Sequence, residues 1–232
     1  MKLSIIFPAY NEEKRIIPTL ESYYNFYNKK LKRNFEMIII PNNCKDNTLK
    51  ITKDIAKNKE QVRVFNIPEY SGKGGAVIKG FELANGEFIG FTDADNSITP
   101  KNFYKLYENK ENYDGIIASR KIKGATIFPK RRFSQNLSSF LFHVSTRILF
   151  GFKYYDTQCG AKLFTKKTAK FLMENGQEIG WAFDVDLLYL CKKNKLKILE
   201  YPINWVDSAG SKLTFWGGIE SFLRLIKLRI KS

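Results

Sequence analysis

The chain has 232 residues, 44% of them hydrophobic, which is enough for one substantial domain or at most two small ones and excludes a disordered chain. Thirty-nine Lys and Arg against 23 Asp and Glu give a formal net charge of +16, so the surface attracts anions: nucleic acid, anionic lipid head groups or phosphorylated small molecules. Cys44, Cys159 and Cys191 are odd in number and far apart, which excludes a disulfide framework or a cysteine metal site and fits a reducing, cytoplasmic compartment.

In chain order, residues 3–7 are a continuous apolar run that predicts a buried strand. Pro8 cuts it too short for a secretion signal. Ile16, Leu20, Tyr23 and Tyr27 then recur at helical spacing. Residues 37–40 predict a second strand, followed by a polar loop with Asn42, Asn43 and Asp46 and a helix through Ile51 and Ile55. Residues 62–67 predict a third strand. Residues 72–75 predict a glycine-rich turn into a helix carrying Val77 and Phe81, and residues 88–92 a fourth strand ending at Asp93. This alternation of helices with nearly all-apolar strands predicts an α/β fold whose mostly parallel sheet is covered on both faces. Ligands of such sheets gather at the carboxyl ends of the strands. That rule places residues 8–12, 41–46 and 93–97 in one crevice.

The second half reads differently. Residues 114–119 predict a strand, and a basic stretch follows with Lys121, Lys123, Lys130, Arg131 and Arg132. Phe133, Leu137, Phe140, Leu141, Val144 and Ile148 follow helical spacing, as do residues 183–191, and residues 197–201 predict a short strand. A last apolar stripe runs through Ile219, Phe222, Leu223, Ile226 and Ile230, with Arg224, Lys227 and Lys231 on another side. No run of about 18 apolar residues occurs, so no membrane-spanning helix is expected. The basic amphipathic helices 133–150 and 217–231 have the character of segments that settle on an anionic membrane surface, a pattern that core-packed helices share. His143, within the first of them, is expected to be structural.

The sharpest chemical signal is Asp93-Ala94-Asp95, at the end of a predicted buried strand. Two such carboxylates repel each other unless a cation lies between or near them, and hard divalent ions commonly bridge carboxylates to phosphate oxygens. The same residues also occur in solvated turns. Ser71-Gly72-Lys73-Gly74-Gly75 offers backbone amides, a cation and a helix start, which suit a phosphate or an ordinary flexible turn. Pro8-Ala9-Tyr10-Asn11-Glu12 supplies a ring and a carboxylate suited to a base and a ribose, or simply an acidic helix start. No nucleic-acid-binding motif appears, and carboxylates at the strand ends would repel a phosphate backbone, so nucleic acid is not expected as a partner.

Taken together, Pro8-Ala9-Tyr10-Asn11-Glu12, Gly72-Lys73-Gly74-Gly75-Ala76 and Asp93-Ala94-Asp95 resemble glycosyltransferase family two and its GT-A fold. Asp156-Thr157-Gln158-Cys159-Gly160-Ala161-Lys162-Leu163-Phe164, Trp181-Ala182-Phe183-Asp184-Val185-Asp186, and Asn204-Trp205 through Gly210-Ser211-Lys212-Leu213 are similar to its dolichyl-phosphate glucosyltransferase branch. Polyprenyl-phosphate mannose synthases share much of the pattern. The resemblance implies an inverting transfer of a hexose, glucose favoured, from a nucleotide-sugar, UDP-glucose favoured, to a polyprenyl or dolichyl phosphate. It further implies magnesium or manganese as cofactor and action at the cytoplasmic face of a membrane.

Residue by residue, it implies that Pro8, Ala9, Tyr10, Glu12, Asn42 and Ala94 hold the nucleotide-sugar, and that Asp93 and Asp95 hold the metal and diphosphate with Lys73 nearby. Arg120 and Arg131 would bind the acceptor phosphate, and Lys212 would lie in a loop closing over the donor. Residues 1–232 would form one catalytic domain, with a donor half at 1–119, an acceptor half at 120–212 and an amphipathic helix at 213–232. Two places depart from the family pattern: Asn42-Asn43-Cys44-Lys45-Asp46 follows the second strand in place of paired Asp, and Ser97 replaces the Gln of the mannose synthases. Sugar transfer to a hydroxyl of a glycan or glycolipid is one alternative reading, and it would need a carboxylate base; a basic nucleic-acid-binding module is the alternative from another class.

Overall fold

The computed structural model describes residues 1–129, 133–177, 180, 182–206 and 225–230. In chain order the elements are β1 (Leu3–Ala9), α1 (Ile16–Leu31), β2 (Phe35–Pro41), α2 (Thr48–Ala56), β3 (Val62–Val64), α3 (Gly72–Leu83), β4 (Phe88–Phe91) and α4 (Pro100–Glu108). Then come β5 (Gly115–Ser119), β6 (Thr126–Phe128), α5 (Phe133–Phe150), β7 (Lys162–Thr165), α6 (Lys166–Asn175), α7 (Phe183–Lys193), β8 (Ile198–Pro202) and β9 (Asn204–Val206). Residues 225–230 are also helical.

Among the described residues, one sheet of seven strands has the order β3-β2-β1-β4-β7-β5-β8, and β6 pairs separately with β9. Every pairing in the large sheet is parallel except those of β7, which runs against both β4 and β5. The expected mostly parallel α/β sheet is present, with one reversed strand inside it.

The all-apolar strands follow from burial on two faces. Leu3, Ile5 and Phe7 of β1 point into a core shared with Leu20, Tyr23 and Tyr27 of α1, while Ile6 points into the opposite core with Val77 and Phe81 of α3. The helical spacing of Ile16, Leu20, Tyr23 and Tyr27 is thus the buried stripe of α1. At the amino end of the strands the buried Glu36 carboxylate accepts from Ser4 Oγ at 2.6 Å, Asn85 N at 2.7 Å and Arg63 Nη1 at 2.7 Å.

Several elements differ from the sequence reading. β3 ends at Val64, and the chain then keeps step with β2 through single contacts, Phe65 N to the Ile39 carbonyl and Ile67 N to that of Pro41. The glycines from Gly72 form the first turn of α3 itself rather than a turn ahead of it. Helices α4 and α6 and strands β6, β7 and β9 have no counterpart in the sequence reading. In the C-terminal stretch, Leu225 and Leu228 are buried against Ile117, Phe150 and Phe152, whereas Ile230 is 80% exposed. The buried stripe is therefore rotated from the expected Ile226–Ile230 line, and this turn packs on the core. The remainder of the expected helix 217–231 lies outside the described residues. No helix among the described residues is long and apolar enough to cross a membrane.

Candidate active site

Parallel strands end on the same side, so the carboxyl ends of β1, β2, β4 and β5 form one edge. Asn42 ties three of its parts together. Its amide nitrogen Nδ2 donates to the Gly72 carbonyl at 2.8 Å, its Oδ1 accepts from Ser71 N at 3.1 Å, and its backbone N–H donates to the Ala9 carbonyl at 2.9 Å. Asn42 is buried. Beyond β1, Pro8 is half-buried and Ala9 buried, while Tyr10 is 42% exposed at the tip. The Glu12 carboxylate takes a two-point contact from Arg15, at 2.8 and 2.9 Å, and its backbone N–H donates to Thr48 Oγ1.

The loop after β4 carries the paired acids. Buried Ala94 anchors it, with its carbonyl accepting from Thr19 Oγ1 of α1 at 3.0 Å. Asp95 Oδ1 accepts from Ser97 N at 3.0 Å, closing a tight turn. Lys73, on the first turn of α3, puts Nζ 2.8 Å from Asp93 Oδ1 and 3.9 Å from Asp184 Oδ2. Burial opposes charge on Lys73, but Asp93 and Asp184 outweigh it and hold the ammonium above its usual range.

Reversal of β7 completes the site. It brings the first residue of that strand, Lys162, to the carboxyl edge, where the fully buried Nζ lies 2.5 Å from Asp184 Oδ1 and donates to the Cys159 carbonyl at 2.9 Å. The segment leading into β7 lies across the same edge. A Cβ at Gly160 would overlap Asp93 Oδ2, so the backbone abuts the carboxylate directly. The Arg120 guanidinium makes a two-point contact with Asp156, Nε at 2.7 Å and Nη2 at 2.8 Å, and lies over the Trp205 ring. Burial raises the pKa of the Asp156 carboxyl, but Arg120 outweighs it and holds that carboxyl well below the usual carboxylate range. Arg120, Lys121, His143, Asp156, Thr157 and Gln158 line one small cleft. In it the His143 ring stacks on Tyr155. Burial pushes the Cys159 thiol up to about 12, so it remains a neutral core group.

The sequence reading grouped Asp93, Lys73 and the tips of β1 and β2, and the structure joins them through Asn42, Gly72 and Lys73. Arg131 and Lys212, and the neighbouring Trp181, lie outside the described residues. Lys162 and Gly160 belong to the motif at residues 156–164, in which the sequence assigns no role to either. The available signal was a lysine inside an apolar run, Ala161-Lys162-Leu163-Phe164, with acids at the start of a later helix.

The residues present fit a hard divalent ion. Among the described residues no cluster of three or more His, Cys, Asp or Glu forms a closed cage. The donors are two carboxylates, as suits an ion that takes its other ligands from water and phosphate oxygens. A lysine ammonium already stands in as a cation on Asp93. Two buried oxygens without hydrogen-bond partners, Ser71 Oγ and Asn96 Oδ1, flank the same loops.

Residues 4–172 match the family model Glycosyl transferase family 2. The chain belongs to glycosyltransferase family 2. It is similar to the dolichyl-phosphate beta-glucosyltransferase of Dictyostelium discoideum, 34% identical over 99% of this chain and 74% of that one. The proteins of the same name from Drosophila melanogaster and Homo sapiens are 34% and 30% identical, covering 95% and 99% of this chain and 72% and 75% of theirs. Among solved structures, glucosyl-3-phosphoglycerate synthase from Mycobacterium tuberculosis, in complex with Mn2+, UDP and phosphoglyceric acid, superposes with a TM-score of 0.70 at 16% identity, covering 99% of this chain and 78% of that one. S. aureus TarS 1-349 with UDP-GlcNAc gives 0.61 at 22% identity, over 99% of this chain and 66% of that one. This glycosyltransferase therefore has the GT-A fold, and its paired acids follow the fourth strand of that sheet.

Proposed function

We propose that this glycosyltransferase moves glucose from UDP-glucose to a polyprenyl or dolichyl phosphate with inversion at the anomeric carbon. The observation that carries the reading is the coincidence of two things: similarity over nearly the whole of this chain to dolichyl-phosphate beta-glucosyltransferases and an edge where paired acids lie beside a basic cleft. A beta product from an α-linked donor is an inversion. In this reading Pro8, Ala9, Tyr10, Glu12, Asn42 and Ala94 shape the nucleoside pocket, while Asp93 and Asp95 hold magnesium or manganese. That ion, when bound, neutralises charge on the departing diphosphate.

Lipid phosphate is already ionised near neutral pH, because its second pKa is about 6, so the protein's main tasks are positioning and charge stabilisation. We assign the attacking phosphate to the cleft of Arg120, Lys121 and His143, with Arg131 completing it. Asp156 fixes the plane of Arg120 and leaves Nη1 for an incoming oxygen. A hydroxyl acceptor would need a carboxylate base instead. The buried Asp156 and Asp184 each carry a basic partner at contact distance, which favours the phosphate. Residues 1–119 would then serve the donor and 120–212 the acceptor, at a membrane surface reached without a spanning helix among the described residues.

Radiolabelled UDP-glucose, polyprenyl phosphate in vesicles and Mg2+ should give organic-extractable label bearing a beta linkage. A broad donor panel yielding no lipid product overturns the acceptor assignment. Asp95→Ala should lower transfer by roughly 100-fold or more, the scale of losing a preorganised charge-stabilising group. Full activity in that variant removes the metal role of Asp95.

A further inference from the structure

Four charges form a linear chain that ends on Asp93, one of the paired acids. Lys162 Nζ lies 2.5 Å from Asp184 Oδ1, and Lys73 Nζ lies 3.9 Å from Asp184 Oδ2 and 2.8 Å from Asp93 Oδ1. Two ammoniums and two carboxylates sum to zero, which offsets the cost of holding Lys162 where no water reaches it. The ring of Phe91 lies under both ammoniums, 5.7 Å from Lys73 and 5.5 Å from Lys162. The arrangement is asymmetric. Asp184 Oδ1 is held by a lysine with no freedom to leave, while Oδ2 faces a lysine that is 30% exposed and engaged elsewhere.

Asp93 is 38% exposed, but both of its oxygens have close neighbours. The Gly160 backbone closes in on Oδ2, and Lys73 covers Oδ1. An ion that binds Asp93 therefore meets the Lys73 ammonium at the oxygen it needs, and like charges at such separations repel. Lys73 has a second carboxylate oxygen within about a bond's adjustment, at 3.9 Å. Moving there leaves Lys162, Asp184 and Lys73 with one net positive charge beside the ion, which an arriving diphosphate cancels.

We propose that Asp184, fixed by buried Lys162, is a positioning residue that takes Lys73 from Asp93 when a divalent ion and a nucleoside diphosphate bind. Lys73 is thereby a resident cation of the empty site, and exchanging it couples ion binding to diphosphate binding. The inference rests on the assignment of Asp93 and Asp95 to the ion, and it adds Lys73, Asp184 and Lys162 as the device that makes the ion depend on the nucleotide.

The test measures Mn2+ binding to the full chain by the loss of its free-ion EPR signal, with and without UDP. Wild type should bind Mn2+ weakly alone and much more tightly with UDP. Lys73→Met should bind Mn2+ alone about tenfold more tightly, a step of about 1.4 kcal/mol, and by reciprocity UDP should then add less. The double replacement Lys162→Met/Asp184→Asn removes both buried charges together, so neither is stranded. It should weaken Mn2+ binding several-fold when Lys73 is present and leave it unchanged in the Lys73→Met background, the signature of action through Lys73. Equal Mn2+ affinity in wild type and Lys73→Met overturns the proposal, as does an Asp184 effect of the same size in both backgrounds. The Asp95→Ala variant separates the two readings. If it keeps wild-type Mn2+ affinity, the ion assignment itself falls. If it loses Mn2+ while Lys73→Met shows no gain, the exchange alone falls.

Discussion

A methyl group on Gly160 would occupy the position of Asp93 Oδ2. Gly160→Ala is therefore expected to swing the 38%-exposed carboxylate away from Lys73 at little cost in stability. Transfer activity should fall more than the melting temperature alone explains. A variant with wild-type kcat and KM would show that Asp93 tolerates the shift. At this scale the sequence exposed residues whose chemistry follows from local spacing. Asp93 and Asp95 announce themselves because two acids at the end of an apolar strand are electrostatically awkward without a cation. Gly160 carries no such local oddity, and Lys162 only the weak one of a lysine inside an apolar run. Their roles come from contacts with Asp184 and Asp93, residues distant in the chain, and no spacing rule reaches that far. Arg120 was legible as a cation after a strand, but its engagement by Asp156 was not, because the partner arrives on a separate loop.

Among the elements, β4 and β7 meet at a point with no slack. A Cβ at Gly90 would come within 2.6 Å of the Lys162 carbonyl oxygen and within 2.8 Å of Phe103. The first contact is backbone, so no rotamer change relieves it. Gly90→Ala should therefore destabilise the chain by about 1–3 kcal/mol, read as a lower midpoint in urea with an unchanged slope. An unchanged midpoint would mean that the two strands can separate locally without cost. Elements β1, α1, β2, α3 and β4 were readable because the strands are apolar runs and the helices keep an apolar stripe. Helix α4 had its signals in place, the Thr99 cap accepting from Asn102 N and Pro100 at the first position. Strand β7 is harder, being four residues long with a lysine at its start, so neither alternation nor a full apolar run marks it.

For the whole molecule, acid is the expected weak point. Burial raises the Glu36 carboxyl, but hydrogen bonds from Ser4, Asn85 and Arg63 outweigh it and its pKa is lowered. Asp156 is lowered in the same way by Arg120. Groups depressed in the folded state stabilise it fully above their unfolded pKa values of about 4 and lose that contribution as pH falls through the folded values. Thermal stability should thus owe little of its change between pH 7 and 5 to these carboxyls and should decline below about pH 4. In Glu36→Gln the deficit relative to wild type should shrink as pH drops from 6 towards 3. A deficit constant across that range would place the effect in shape rather than charge. The charge of +16 and its pull on anions were plain from composition. Composition left open which anion, because net charge carries no shape.

The reversed strand also constrains how the chain is made. During synthesis β4 and β5 emerge well before β7, yet they have no hydrogen bonds to each other and are joined through that later strand alone. A nascent polypeptide stalled short of Lys162 therefore carries two unzipped edges facing a gap, each a template for intermolecular pairing. The four residues that close this gap are Lys162–Thr165.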